Sequence, residues 1–380
     1  MSGASRRIMC EILAGVSSRV GLQQRLGLSA ATVSQQIGQM LREGLLLDLE
    51  VPAKGSGRLG RPRMLLSPNP RAFAAAGLDF GAGHLRAGLF GADGSLIWWS
   101  ETTRVWRGAG EALGAARRVL RKLLAAVPAG TPLLGVGIAD PGMVETETGR
   151  SIGAVHIPGW RDLCLPELLP GCGRRTIVHS SAQMKGLAEM LRGGLQGVRE
   201  GIYVDLGLGV GAAIILDGGL FYGHRGLAGE FGHLCVNPTG RTCTCGGRGC
   251  LETECSGRAI AAAAGGRARG GRRTAADVAR AAREGDPSAR AIYDHAGKML
   301  GLALSGVLNF LDPQCVVLGG GVSAAGDLLL KPARRVLSKQ ALGGSRTLPS
   351  ISISKLAASE AGAFGAASAV MLDFLTSKKR

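Results

Sequence analysis

One histidine and three cysteines, His233, Cys243, Cys245 and Cys250, follow one another with the spacing H-x9-C-x-C-x4-C. Three thiolates and one imidazole make a complete tetrahedral set for zinc, so the spacing predicts a loop that a metal ion pulls closed. Four protein donors leave no open position for water or substrate, which makes the expected Zn2+ structural and not catalytic. Glycines at 246, 247 and 249 let the backbone fold back between the donors. A dithiol redox centre would need C-x-x-C, and the close pair here is C-x-C.

The chain has nine cysteines in 380 residues, an odd number at uneven spacing, and its first residues hold no secretory apolar segment. A disulfide framework is not expected, and a reducing cytoplasm is. No apolar run is long enough to cross a membrane. The 45 basic residues against 28 acidic ones give a formal charge of +17, which favours a polyanionic partner.

Residues 1–70 point to nucleic acid more directly. Three short helices are predicted over residues 6–47, and "LGLS" forms the turn before the third. Ser29 is a natural N-cap for that helix, and Val33, Ile37, Met40 and Leu41 share one face. Ser29, Thr32, Ser34, Gln35 and Gln36 supply the short polar side chains that reach base edges and phosphates. The following "LLLDLEVPAKGSGRLGRPRMLLSPNP" has strand and turn character, with Lys54, Arg58, Arg61 and Arg63 at a Gly-rich tip. "GRPR" resembles an AT-hook core, in which extended backbone delivers arginines to a narrow minor groove. This head, with nine basic and four acidic residues, is expected to be a winged helix-turn-helix that binds double-stranded operator DNA.

From residue 75 the texture becomes α/β. "AAGLDFGAGHLRAGLFGADGSLIWWS" predicts a hairpin and the start of a third strand, "GAGEALGAARRVLRKLLAAV" an amphipathic helix, and "LLGVGIADPGMV" a buried strand running into a turn. "EGIYVDLGLGVGAAIILDGGLFYG" repeats the strand–Gly turn–strand pattern, so that "LDFGAG" and "VDLGLG" correspond. The pairing resembles the actin-like ATPase fold, two α/β lobes around a cleft.

The motifs together resemble the ROK family (repressors, open reading frames and kinases). The resemblance rests on "GLAGEFGHLCVNPTGRTCTCGGRGCLETECSG", "GVGIADPGMV", "GLGVGAAIILDGGLFYG" and "NFLDPQCVVLGGGVS". It implies an actin-like effector domain over residues 71–380, with lobes at about 71–185 and 186–380, behind the head at 1–70. The fused head is similar to that of the family's repressor branch.

Departures from the family's kinase pattern bear on function. The D-x-G-G-T phosphate turn is "DFGAGH", and the G-T-G-x-G turn is "GLGVG" with Leu208 in place of the hydroxyl residue. The E-N-D-x-N segment, whose Asp is the general base, is His179-Ser180-Ser181-Ala182-Gln183, and a serine hydroxyl cannot act as that base at neutral pH. The resemblance implies sugar contacts at Glu230, Glu252 and His233, with Ser180 and Ser181 replacing an Asn–Asp pair and His156 an Asn before "IPGW". The expectation is a non-enzymatic transcriptional repressor with no catalytic residues. It would sense a sugar or sugar derivative and assemble as a homodimer or tetramer. The rivals are a sugar kinase carrying a DNA-binding head, and a DNA-binding protein whose cleft has lost its ligand.

Overall fold

The computed structural model describes residues 1–51, 63–169, 175–265, 267–268, 271–344 and 348–377. The head starts with three helices, α1 (Gly3–Leu13), α2 (Arg19–Leu26) and α3 (Ala30–Arg42). Serines start all three. Ser2, Ser18 and Ser29 each accept a hydrogen bond from a backbone N–H three residues on, satisfying a donor that the first turn leaves free. Gly27 ends α2 in the left-handed conformation, which makes the turn into α3 tight. A two-stranded antiparallel ribbon follows, β1 (Leu46–Val51) with β2 (Arg63–Pro68), in register from Leu46↔Pro68 to Val51↔Arg63. Ile8, Met9, Ile12, Leu22, Val33, Ile37, Met40, Leu46 and Leu66 form the head's core. Arg19 pairs with Asp48 and so ties α2 to the ribbon.

The chain divides into two compact units, Met1–His179 with Gly362–Arg380, and Ser180–Ala361. In the first unit the head leads into β3 (Ala74–Gly81), β4 (His84–Gly91), β5 (Leu96–Thr103), α4 (Ala109–Ala125) and β6 (Leu133–Asp140). A small meander, β7 (Met143–Glu145), β8 (Arg150–Gly153) and β9 (Arg161–Cys164), is followed by α5 (Leu165–Leu168) and β10 (Thr176–Ser180). The main sheet has the order β10-β6-β3-β4-β5, with β3 and β6 parallel. The apolar face of α4 packs on it through Ala112, Leu113, Ala116, Leu120 and Leu123.

The second unit holds α6 (Ser181–Arg192), β11 (Gly201–Leu206), β12 (Val210–Leu216), β13 (Gly219–Phe221), α7 (Leu251–Cys255) and α8 (Gly257–Ala263). A two-residue pair follows, β14 (Arg267–Ala268) with β15 (Gly271–Arg272), then α9 (Ala275–Glu284), α10 (Pro287–Leu311), β16 (Cys315–Gly319), α11 (Asp327–Gln340) and β17 (Ser350–Ile353). Its sheet runs β13-β12-β11-β16-β17, so each unit has a five-stranded mixed sheet that starts from a hairpin. The last helix, α12 (Ala361–Thr376), belongs to the first unit. This differs from the sequence-based division at about 185, which left the C-terminus in the second lobe. The helix is rich in Ala and Gly, and small residues let it lie directly on β3 and β6.

Candidate functional site

The four predicted metal donors converge. Their ligand atoms, on His233, Cys243, Cys245 and Cys250, all lie within 4.8 Å of one another, making a group that could hold a metal ion. His233 Nδ1 is 3.7 Å from Cys243 Sγ, and Cys245 Sγ is 3.7 Å from Cys250 Sγ. A short 3-10 turn, Phe231–His233, presents the histidine. The cysteine loop is folded by backbone bonds: the Cys243 amide donates to the Gly247 carbonyl at 2.7 Å, and the Gly246 amide to the Cys243 carbonyl at 3.0 Å. The Gly247 amide donates to Cys245 Sγ at 3.4 Å and lowers the pKa of that thiol, favouring the thiolate that binds metal.

Two carboxylates adjoin this loop. Glu230 Oε2 lies 3.8 Å from His233 Nε2, the ring nitrogen turned away from Cys243. Burial raises the Glu230 pKa, His233 opposes the rise, and the Glu252 charge adds to it. Glu252 Oε2 accepts from the Val210 amide at 2.9 Å and so braces the end of the Gly207–Gly211 turn. Thus Glu230, His233 and Glu252, read from sequence as sugar contacts, share one region of the second unit, and one oxygen of Glu252 is already engaged.

The start of α6 is built for structure. Ser180 is its N-cap and forms a reciprocal capping box with Gln183. Gln183 is 1% exposed and donates through Nε2 to the carbonyls of Gly226 (3.0 Å) and Ala228 (3.2 Å), which anchors the loop leading to His233. Sequence reasoning placed Ser180 and Ser181 at a ligand site and did not detect this tie. Ser181 is the first residue of α6 and brings no carboxylate there. Near the second Gly turn, the Lys185 ammonium contacts Asp205 Oδ2 at 2.7 Å, each side chain 14% exposed, so the lysine is neutralised by its own chain.

In the first unit, His156 is half-buried in the turn after β8, apart in sequence and in unit from the other candidates. Close by in sequence, the Trp160 indole donates to Asp140 Oδ2 (2.9 Å) and Ser151 Oγ (3.0 Å), while the Gly142 amide donates to Asp140 Oδ1 (2.8 Å). Burial nevertheless pushes the Asp140 carboxyl up to about 6. Asp79, on β3 just before the first Gly turn, is fully buried, with His84 Nε2 at 3.3 Å and the Arg86 guanidinium at 4.0 Å from Oδ2. Neither Asp140 nor the His84–Arg86 cover was recognised from sequence. Burial also pulls His179 down to about 4, which makes its imidazole a weak proton acceptor.

In the head, Ser34 and Gln35 are exposed on α3. Ser29 Oγ and Thr32 Oγ1 bond to each other at 2.8 Å in the N-cap. Gln36 is turned toward α1, where its Oε1 accepts from Ser2 Oγ (2.6 Å) and Ser5 Oγ (2.7 Å). Arg63 opens β2, while Lys54, Arg58 and Arg61 lie outside the described residues.

A helical head with an antiparallel ribbon, joined to paired mixed-sheet units and a Cys/His loop, defines a class of chain in which a small N-terminal domain is fused to an actin-like body. The ROK family profile matches residues 75–372, and the chain belongs to the ROK family. It is 34% identical to a glucokinase of Halalkalibacterium halodurans over 286 residues, 70% of this chain and 86% of that one. It is 26% identical to the xylose repressor of Caldicellulosiruptor bescii over 357 residues, 90% of this chain and 88% of the repressor. A solved ROK family transcriptional regulator, a homologue of the Escherichia coli Mlc protein, has the same fold over 98% of both chains, with a TM-score of 0.78 at 22% identity. The xylose repressor and the regulator thus match more of this chain than the glucokinase does. No helix among the described residues is long and apolar enough to cross a membrane.

Proposed function

We propose that this protein is a DNA-binding transcriptional repressor whose ROK domain responds to a sugar or sugar derivative without phosphorylating it. The observation that carries this reading is the three-helix head with its ribbon, placed ahead of a family domain that repressors match across 90% of the chain. The head is a winged helix-turn-helix, and α3, exposing Ser34 and Gln35, is its recognition helix. A single short helix covers too few base pairs for genomic specificity, so the operator is read by a dimer. Selection of bound duplexes from a random-sequence pool tests this. An inverted repeat with half-sites one or more helical turns apart is expected, and failure to enrich any sequence would defeat the proposal.

Zinc is the metal that suits the Cys/His loop. Zn–S distances near 2.3 Å and Zn–N near 2.0 Å put ligand atoms roughly 3.5–3.8 Å apart around a tetrahedron. The two 3.7 Å separations agree with that spacing. Its role is to close the loop and hold His233 beside Glu230, keeping the effector-facing carboxylates in place. Effector binding acts on DNA affinity by favouring one of two states of the domain.

The second reading, a sugar kinase with a head, is favoured by the 34% identity to a glucokinase. Against it stand Ser181 in place of the base, Leu208 in the second Gly turn, and Ala82 and Gly83 in the first. Incubation with ATP and a panel of hexoses distinguishes the two, and sustained formation of sugar phosphate would favour the kinase.

A further inference from the structure

We infer that α12 is a rigid strut joining the C-terminal part of β3 to the core of the head, so that a disturbance at Asp79 alters how the head meets DNA. The inference rests on the DNA-binding role proposed for the head.

At its N-terminal end, α12 is pressed against Asp79. A Cβ placed on Gly362 would lie 2.5 Å from both Cγ and Oδ2 of Asp79, so only a glycine lets the carboxylate lie against the first turn. Free backbone N–H groups make a helix start locally positive, and a carboxylate is stabilised there. His84 and Arg86 hold the carboxylate from β4, and it is fully buried. Sealed in this way, Asp79 serves as an anchor for the helix.

Along its middle, α12 has no slack. A Cβ on Gly77 of β3 would lie 1.8 Å from the Ala363 carbonyl oxygen, and one on Gly137 of β6 would lie 1.9 Å from that of Ala366. Residues 361–371 are all buried, and Phe364 meets Phe90 edge-on at 5.4 Å. Backbone laid on backbone cannot absorb a shift by changing rotamers, so a displacement of one end is passed along.

At its C-terminal end, the helix enters the head. Leu375 is 2% exposed and belongs to the same cluster as Ile8, Ile37 and Leu66. The Arg6 guanidinium of α1 donates to the Ser377 carbonyl. Arg175 grips the same end through Asp373 and through Ser377 Oγ at 3.0 Å, and Phe374 packs on Phe73 at 6.1 Å. From Gly362 to Leu375 the helix covers about 20 Å at 1.5 Å per residue.

A double-mutant comparison in the full chain tests the strut, with a duplex selected by the wild-type protein as the probe. Gly362→Ala forces the helix start off Asp79 and is expected to raise the Kd at least fivefold. Gly110→Ala, on α4 with nothing within 4 Å of the added methyl, is expected to leave the Kd unchanged. In a background where the far contact is weakened, Leu375→Val with Arg6→Gln, Gly362→Ala is expected to change the Kd less than twofold. Substitutions so far apart ordinarily act independently, so an equal factor in both backgrounds would overturn the inference. If Gly362→Ala does not melt cooperatively, Asp79→Asn replaces it with the same expectations. If the wild-type protein selects no DNA, the repressor reading falls and the strut is judged by hydrogen exchange of the α1–α3 amides. Faster exchange in Gly362→Ala would support it, and unchanged exchange would refute it.

Discussion

Substituting Gly249 with alanine puts the proposed metal centre to a quantitative test. Gly249 precedes the donor Cys250 and has φ +67°, the left-handed region. A side chain there costs roughly 1–2 kcal/mol in backbone strain. Its Cβ would also lie 1.5 Å from the Asn237 carbonyl oxygen, an overlap that only backbone movement relieves. Moving the segment breaks the bonds that hold it: the amides of Val236 (2.9 Å) and Asn237 (3.1 Å) both donate to the Gly249 carbonyl. At about 1 kcal/mol net for each bond, the sum is roughly 3–4 kcal/mol. If the ion holds the loop in its observed form, that energy appears as a loss of about two to three orders of magnitude in zinc affinity. Gly246→Ala is the internal control. Its φ is +91° but nothing lies within 4 Å of the added methyl, so strain alone predicts about a tenfold loss. Competition against a chromophoric chelator measures both. Gly249→Ala within threefold of wild type, or equal losses in the two variants, would refute the reasoning.

Other expectations concern the head, Asp140 and the start of α6. Gln35→Ala should relax base preference, at about 1–3 kcal/mol for a lost base contact, whereas Gln36→Ala should chiefly lower the melting temperature of the head by removing the acceptor of Ser2 and Ser5. Binding to single-base variants of a selected duplex, together with melting curves, separates these effects. Asp140 binds its proton more tightly folded, near pKa 6, than unfolded, near 3.8. Native protein therefore holds more protons between those values, and stability should fall by about 3 kcal/mol as pH rises from about 4 to 6. Urea melts across that range would show no such slope if Asp140 were not responsible, and the Asp140→Asn variant should flatten it. Neither ATP nor any hexose should be consumed by the purified protein, because α6 begins with Ser181 and no carboxylate. Coupled ADP detection checks this, and turnover would revive the kinase reading.

Much of this molecule was legible in its sequence because the signals are local. The Cys/His quartet is closed by residues within one short stretch, and tetrahedral chemistry fixes which types must stand there. The head's helices are set by serine caps and apolar spacing, both properties of neighbouring residues. The paired Gly turns announced two similar mixed-sheet units for the same reason. What tertiary structure alone decided depends on partners far apart in the chain. Gln36 has the polarity of a base-reading residue, and only the return of α1 against α3 turns it inward. Asp79 lies in a phosphate-type turn by sequence, yet His84, Arg86 and the distant Gly362 bury it. The last helix follows the second unit in sequence but packs with the first, because Gly77 and Gly137 open a track that only its backbone fills. Local propensity can specify a helix or a ligand loop, but which surface a residue faces is settled by packing between segments that sequence spacing does not connect.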